Sequence, residues 1–184
     1  MLLPIIIGGV AVIIIIWVIA VYNGFIRLKH SIEEAFSTMD VYLKKRYDLI
    51  PNLVETVKGY AAHERETLES VVSARNMAAS ATSLEDRVEK ENILQGTLKS
   101  LFAIAEAYPD LKANTNFLDL QAQLSRIEDE IANSRKYYNA VVKTYNIKRE
   151  AFPSVIIAGM FGFTSKPMFE VAAEREREAV KVQF

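Results

Sequence analysis

Hydrophobic positions along the chain fall into two regimes. From Leu2 to Val21 only Pro4, Gly8 and Gly9 interrupt a run that is otherwise strongly apolar or Ala, and no charged residue precedes Arg27. Twenty helical residues at about 1.5 Å each cover about 30 Å, the hydrocarbon thickness of a bilayer. The pattern predicts a membrane span, with Trp17 and Tyr22 as interfacial residues. Val18-Ile19-Ala20 resembles a signal-cleavage position, but the apolar run exceeds the usual signal core and no Lys or Arg precedes it, which favours a retained anchor.

From Phe25 onward the period changes to that of amphipathic helices. Phe25, Leu28, Ile32, Phe36, Met39 and Leu43 make one stripe. Only Gly24 stands between it and the apolar run, so the two are expected to form one continuous rod. A second helix is expected to open at Asp48 as N-cap, with Pro51 in its first turn, and to run to about Ala79. Its core face would carry Leu53, Val57, Tyr60, Leu68, Val71 and Ala78, with Gly59 as a weak point. Thr82 with Glu85, or Ser83 with Asp86, fits a cap for a third helix bearing Val88, Leu94, Leu98, Leu101, Phe102 and Ala105. Tyr108-Pro109-Asp110 stops it. Asn116 is the expected cap of a fourth helix, whose seam is Phe117, Leu120, Leu124, Ile127, Ile131, Ser134, Tyr138, Val141, Tyr145 and Lys148, a coiled-coil-like alternation of three and four.

These elements predict an all-α protein, an N-terminal transmembrane helix followed by an up-and-down four-helix bundle. The expected division is an anchor over 1–24, a bundle over 25–151, an apolar C-terminal segment over 152–170 and a charged tail over 171–184.

Composition narrows the chemistry. The chain has no Cys, two His and a net charge of −1, so thiolate metal sites and cysteine nucleophiles are absent and nothing favours a nucleic-acid partner. The residues three before His30 and His63 are Arg27 and Tyr60, which excludes the Glu-x-x-His pairs of a di-iron bundle. His63-Glu64-Arg65-Glu66-Thr67 lacks the second His of a zinc-protease helix. Neither a serine triad nor a phosphate-binding glycine loop is visible. The expectation is therefore no catalytic residue, no metal and no cofactor. Arg27 and Lys29 after the span, with Lys44, Lys45 and Arg46 beyond, place the bundle in the cytoplasm by the positive-inside rule.

Two groups of residues remain as candidate sites. Asp40, Arg46, Asp48, Asn52 and Glu55 cluster around the expected first turn, as a structural polar network in which Asp48 caps, Arg46 pairs with a carboxylate and Asn52 satisfies a carbonyl, or as a ligand site. Tyr137, Tyr138, Asn139, Tyr145 and Asn146 fit a hydrogen-bonded core layer, as do Arg75 and Asn76. The second group lies in the uncharged segment 152–163. There Phe152, Ile156, Ile157, Met160, Phe161 and Phe163 are candidates for contact with membrane or a partner, in a segment too short to span a bilayer, the alternative being a cap over the open end of the bundle. The tail Glu174-Arg175-Glu176-Arg177-Glu178 and the closing Val180 to Phe184 fit a solvated or frayed terminus.

Tyr22-Asn23-Gly24-Phe25-Ile26-Arg27-Leu28, Ala35-Phe36 and the long motif from Asp40 through Arg46-Tyr47-Asp48-Leu49-Ile50-Pro51-Asn52-Leu53 to Tyr60 resemble the LemA family signature. Phe152-Pro153-Ser154 through Gly162-Phe163, Phe169-Glu170 and the terminal Val180-Lys181-Val182-Gln183-Phe184 are similar to its C-terminal pattern. The resemblance implies a bacterial or archaeal single-pass membrane protein with a bromodomain-like, up-and-down four-helix domain. It implies no activity; one class of relatives acts in building magnetosome membranes. The expected function is a non-catalytic scaffold or adaptor in the cell (inner) membrane, meeting the lipid bilayer and either partner proteins or further copies. The alternative is a lipid- or small-ligand-binding protein or enzyme using the polar group around Asp48.

Overall fold

The computed structural model describes residues 2–169; the charged tail 171–184 lies outside them. The protein is all-α, and no strand occurs among the described residues. Its helices are α1 (Leu2–Lys58), α2 (Arg65–Ala79), α3 (Leu84–Ala107), α4 (Pro109–Lys112), α5 (Thr115–Glu150) and α6 (Ser154–Met160). Contacts divide the described residues into two units, one of residues 2–38 with 136–168 and one of residues 39–135 with Phe169.

α1 passes Gly24 without a break, as the pattern predicts. It also passes Asp48 and Pro51, which corrects the expected second helix start. The turn falls instead at 59–64, where Gly59 follows the last helical residue and Tyr60 and Ala61 donate back to the Val57 carbonyl. Leu49, Ile50, Leu53, Val54 and Val57 are all buried. This continuation of the apolar stripe outweighs the helix-breaking tendency of one proline. Pro51 has no N–H for the Tyr47 carbonyl one turn back, and Arg75 Nε of α2 donates to that oxygen at 3.0 Å. A side chain thus replaces the missing backbone donor.

In the unit containing α2 and α3, the core is Met39, Leu43, Leu53, Val57, Leu68, Val71, Leu94, Leu98, Leu101, Leu111, Phe117, Leu124 and Ile131. Ser83 caps α3, its Oγ accepting from the Asp86 N–H at 3.1 Å. α5 is capped by Asn114 rather than Asn116: its Oδ1 accepts from the Phe117 N–H at 2.9 Å, and its Nδ2 donates to the Tyr60 hydroxyl at 2.8 Å. Tyr60 therefore lies at the surface, 43% exposed.

In the other unit, Phe25, Ile32, Ala35, Tyr138, Val142, Tyr145, Ile157 and Ala158 are buried. Val142, not Val141, carries the seam of α5, because a step of four from Tyr138 keeps the stripe on the buried side. α6 ends in a Schellman turn: Phe163 N–H donates to the Ala158 carbonyl and Gly162 N–H to Gly159, with Gly162 at φ +69°. Only glycine takes that left-handed conformation without strain. Residues 2–16 of α1 are exposed throughout, on a helix long and apolar enough to cross a membrane.

Candidate functional site

Within the α2 and α3 unit, the polar group gathers on Arg46. Its side chain is 1% exposed, and so is Glu91 on α3. Arg46 Nη2 donates to Glu91 Oε2, and Nη1 to both oxygens of Glu128 on α5, at 2.8 and 3.1 Å. Tyr47 donates its hydroxyl proton to Glu91 Oε1, and Arg135 Nη2 reaches Oε2 at 3.2 Å. The Phe169 ring covers Arg135, with 4.5 Å from guanidinium carbon to ring centroid. Two guanidinium groups thus face two carboxylates, with the donors converging from α1 and α5. Arg46 Nε and Arg135 Nε are buried without a hydrogen-bond partner.

Burial dominates the electrostatics. It raises the Tyr47 phenol above its usual range against the opposing pull of Arg46. It pushes the Arg135 guanidinium down to about 10, with Arg46 adding like-charge repulsion. Glu91 lies too deep for a substrate to touch its oxygens, so the cluster holds helices together rather than presenting a reactive group.

The other expected members of this network are dispersed. Asp40 pairs with Arg87 of α3. Asp48 is exposed in mid-helix and caps nothing; with Lys45, Leu49, Gln123 and Ile127 it lines an open cleft of about 320 Å³. Asn52 offers its backbone carbonyl to Thr56, and Glu55 forms a surface pair with Lys58. The physical reason is the uninterrupted α1: without a turn at Asp48, residues 48, 52 and 55 follow one another at i, i+4 and i+7 along the exposed face of the helix, while Arg46 lies on its buried face. The sequence pattern does not single out Glu91, Glu128 or Arg135 as members. Glu91 has a visible signal, since it occupies the apolar stripe of Val88, Leu94, Leu98 and Leu101.

Within the unit containing α6, the side chains of α5 pin an extended strap over 163–168. Tyr145 OH donates to the Thr164 carbonyl at 3.1 Å and Tyr138 OH to Pro167 at 3.0 Å. Asn146 both donates to the Lys166 carbonyl and accepts from its N–H, at 2.8 and 3.0 Å. Arg149 Nε donates to the Phe163 carbonyl at 3.0 Å. Tyr137 is 53% exposed and stands apart from this layer. The strap brings Phe163 onto Phe25, with centroids 4.6 Å apart in a stacked pair. Tyr22 lies 4.8 Å from Phe161 and 5.7 Å from Phe163. Of the expected contact residues, Phe152, Ile156, Met160 and Phe161 are exposed, at 82, 52, 70 and 50%, and Val155 joins them. Ile157 is corrected to a core position at 2% exposure, because its side of α6 packs inward. Phe163 is half-buried.

A sequence model of the LemA family matches residues 35–184. The chain belongs to the LemA family. Protein LemA of Metamycoplasma hominis is 28% identical over 159 residues, covering 84% of this chain and 71% of that protein. Magnetosome protein MamQ 2 of Paramagnetospirillum magneticum is 24% identical over 175 residues, covering 81% of this chain, and Magnetosome protein MamQ of Magnetospirillum gryphiswaldense is 23% identical over 168, covering 77%. The chain spans 64 and 62% of the length of these two MamQ relatives. LemA membership and the apolar start of α1 fit a membrane-anchored helical protein.

Proposed function

We propose that this LemA-family chain is a non-catalytic, single-pass scaffold or adaptor of the cell (inner) membrane. In this reading residues 2–21 cross the bilayer, the basic residues Arg27 and Lys29 that follow them face the cytoplasm, and the helical domain meets partner proteins or further copies there. The observation that carries it is the placement of α6. Tyr22, at the end of the apolar run, packs against Phe161 and Phe163, so exposed Phe161 stands where the span ends, and Val155, Ile156 and Met160 are exposed on the helix that leads to it. Removing an apolar side chain of this size from water is worth about 1.5 to 3 kcal/mol. Several together would fix the tilt of the domain against the lipid, a property useful to a scaffold and unnecessary for simple attachment. The name magnetosome protein, borne by relatives, agrees with a role at an assembled structure.

The absence of Cys from the chain makes single-cysteine probes unambiguous. In the full chain reconstituted into liposomes, a nitroxide on Ile156→Cys should be reached by oxygen in preference to a water-soluble nickel reagent, as for a lipid-embedded site. One on exposed Asp129→Cys should show the reverse. Equal, water-like accessibility at both positions would remove α6 from the membrane. Crosslinking in the native membrane, with identification of the captured proteins, tests the adaptor role.

A further inference from the structure

We propose that Lys148 and Arg27 form a binding site for the phosphate of an anionic phospholipid at the edge of the membrane span. The site rests on the reading that residues 2–21 cross the bilayer, and it names the lipid that the scaffold selects.

Lys148 comes from α5 and lies across α1 at Gly24. A Cβ at position 24 would collide with the Lys148 amine, so the absence of a side chain there is what lets the amine occupy this place. Its Nζ sits 5.0 Å from the centroid of the Phe25 ring. Arg27 follows Gly24 by three residues and thus lies on the same face of α1. Gly24 itself is three residues past Val21, about 4.5 Å along the helix, which is headgroup depth for a span ending at Val21.

Among the described residues neither Lys148 nor Arg27 has a carboxylate partner. Glu33, the first acid on α1, pairs with His30, and Glu150 pairs with Arg149. Burial lowers the pKa of the Lys148 amine, and repulsion from Arg27 lowers it further. Two cations held together without an anion are an incomplete ion cluster. A phosphate diester completes it, accepting charge-assisted hydrogen bonds from the ammonium and the guanidinium. Exposed Phe161, just past the end of α6, packs against Tyr22 at the end of the apolar run, so apolar surface continues to the depth at which the site lies along α1. The chemistry selects an anionic diester over a zwitterionic one, because a choline group would bring a third positive charge to the cluster.

Trp17 is the only tryptophan in the chain, and it lies about 10 Å along α1 from Gly24. Quenching of its fluorescence in the reconstituted full chain, by acyl-brominated phosphatidylglycerol against acyl-brominated phosphatidylcholine, therefore reads which lipid stands beside the site. Phosphatidylglycerol should be preferred about fivefold, the scale of one lysine at an anionic surface. Lys148→Gln and Arg27→Gln should each bring the ratio toward one, Lys148→Arg should retain it, and Gly24→Ala should lower it by displacing the amine with helicity unchanged. Equal quenching by the two lipids in the unaltered chain, or a preference that survives Lys148→Gln, overturns the site. Loss of the preference in inorganic phosphate but not in chloride of equal ionic strength overturns the lipid in favour of free phosphate. If neither brominated lipid quenches Trp17, the span itself is refuted and the site falls with it, an outcome distinct from equal quenching.

Discussion

Glu91 holds a position on α3 that the spacing of Val88, Leu94, Leu98 and Leu101 assigns to an apolar side chain, and it is 1% exposed there. A lone buried carboxylate costs several kcal/mol, so it persists because Arg46, Arg135 and Tyr47 all donate to it. Tyr47 reports on this environment through pH. Burial raises its phenol above the ordinary value of 10.0, so above that pH the unfolded chain releases the proton while the folded chain retains it. Stability then falls as pH rises. Tyr145, also raised by burial, acts in the same direction. Arg135, lowered to about 10, acts in the opposite one, since the folded form loses its proton first. Both remain in Tyr47→Phe, which should flatten the alkaline fall relative to the unaltered chain when unfolding midpoints are compared between pH 8 and about 11. Identical slopes would mean that burial does not raise the Tyr47 phenol.

At the scale of elements, α1 shows how an apolar stripe overrides a local breaker. Pro51 removes one backbone hydrogen bond, and Arg75 of α2 supplies the Tyr47 carbonyl with a substitute donor. The two positions are therefore coupled. Arg75→Met should cost about 1 to 3 kcal/mol by leaving a partly buried carbonyl unsatisfied. In the Pro51→Ala background the loss should shrink, because an alanine restores the backbone N–H that proline lacks. Chemical unfolding of the four chains of this double-mutant cycle measures the coupling; strict additivity would show that Arg75 does not replace the missing donor. The same element explains the largest departure from the sequence reading. Asp48 followed by Pro51 has the form of a helix start, but such a start requires the chain to turn, and Leu49, Ile50, Leu53 and Val54 are buried only if it continues.

For the whole molecule, orientation across the membrane is the property on which the scaffold reading depends. Arg27 and Lys29 after the span favour a cytoplasmic helical domain. A cysteine at exposed Asp129 should resist a membrane-impermeant maleimide in intact cells and react once the cells are permeabilised. Labelling before permeabilisation would put the domain on the opposite side and turn the Lys148 and Arg27 pair toward the other leaflet.

The apolar run from Leu2 to Val21, the helical class and the LemA resemblance were legible in the sequence, because each is a periodicity or a contiguous motif that needs no distant residue to be recognised. The Ser83 cap and most of the α5 seam belong with them, since a cap acts within one turn and a stripe repeats along one helix. Tertiary structure decided the rest. Whether Pro51 begins a helix or sits inside one depended on Arg75, 24 positions away in sequence. Whether Asp48 or Glu91 partners the buried Arg46 depended on which helix faces it. Lys148 reads in sequence as the polar end of a seam, and only the placement of α5 across α1 sets its amine against Gly24. Charge and hydrogen bonding act through space, whereas the sequence displays only neighbours along the chain.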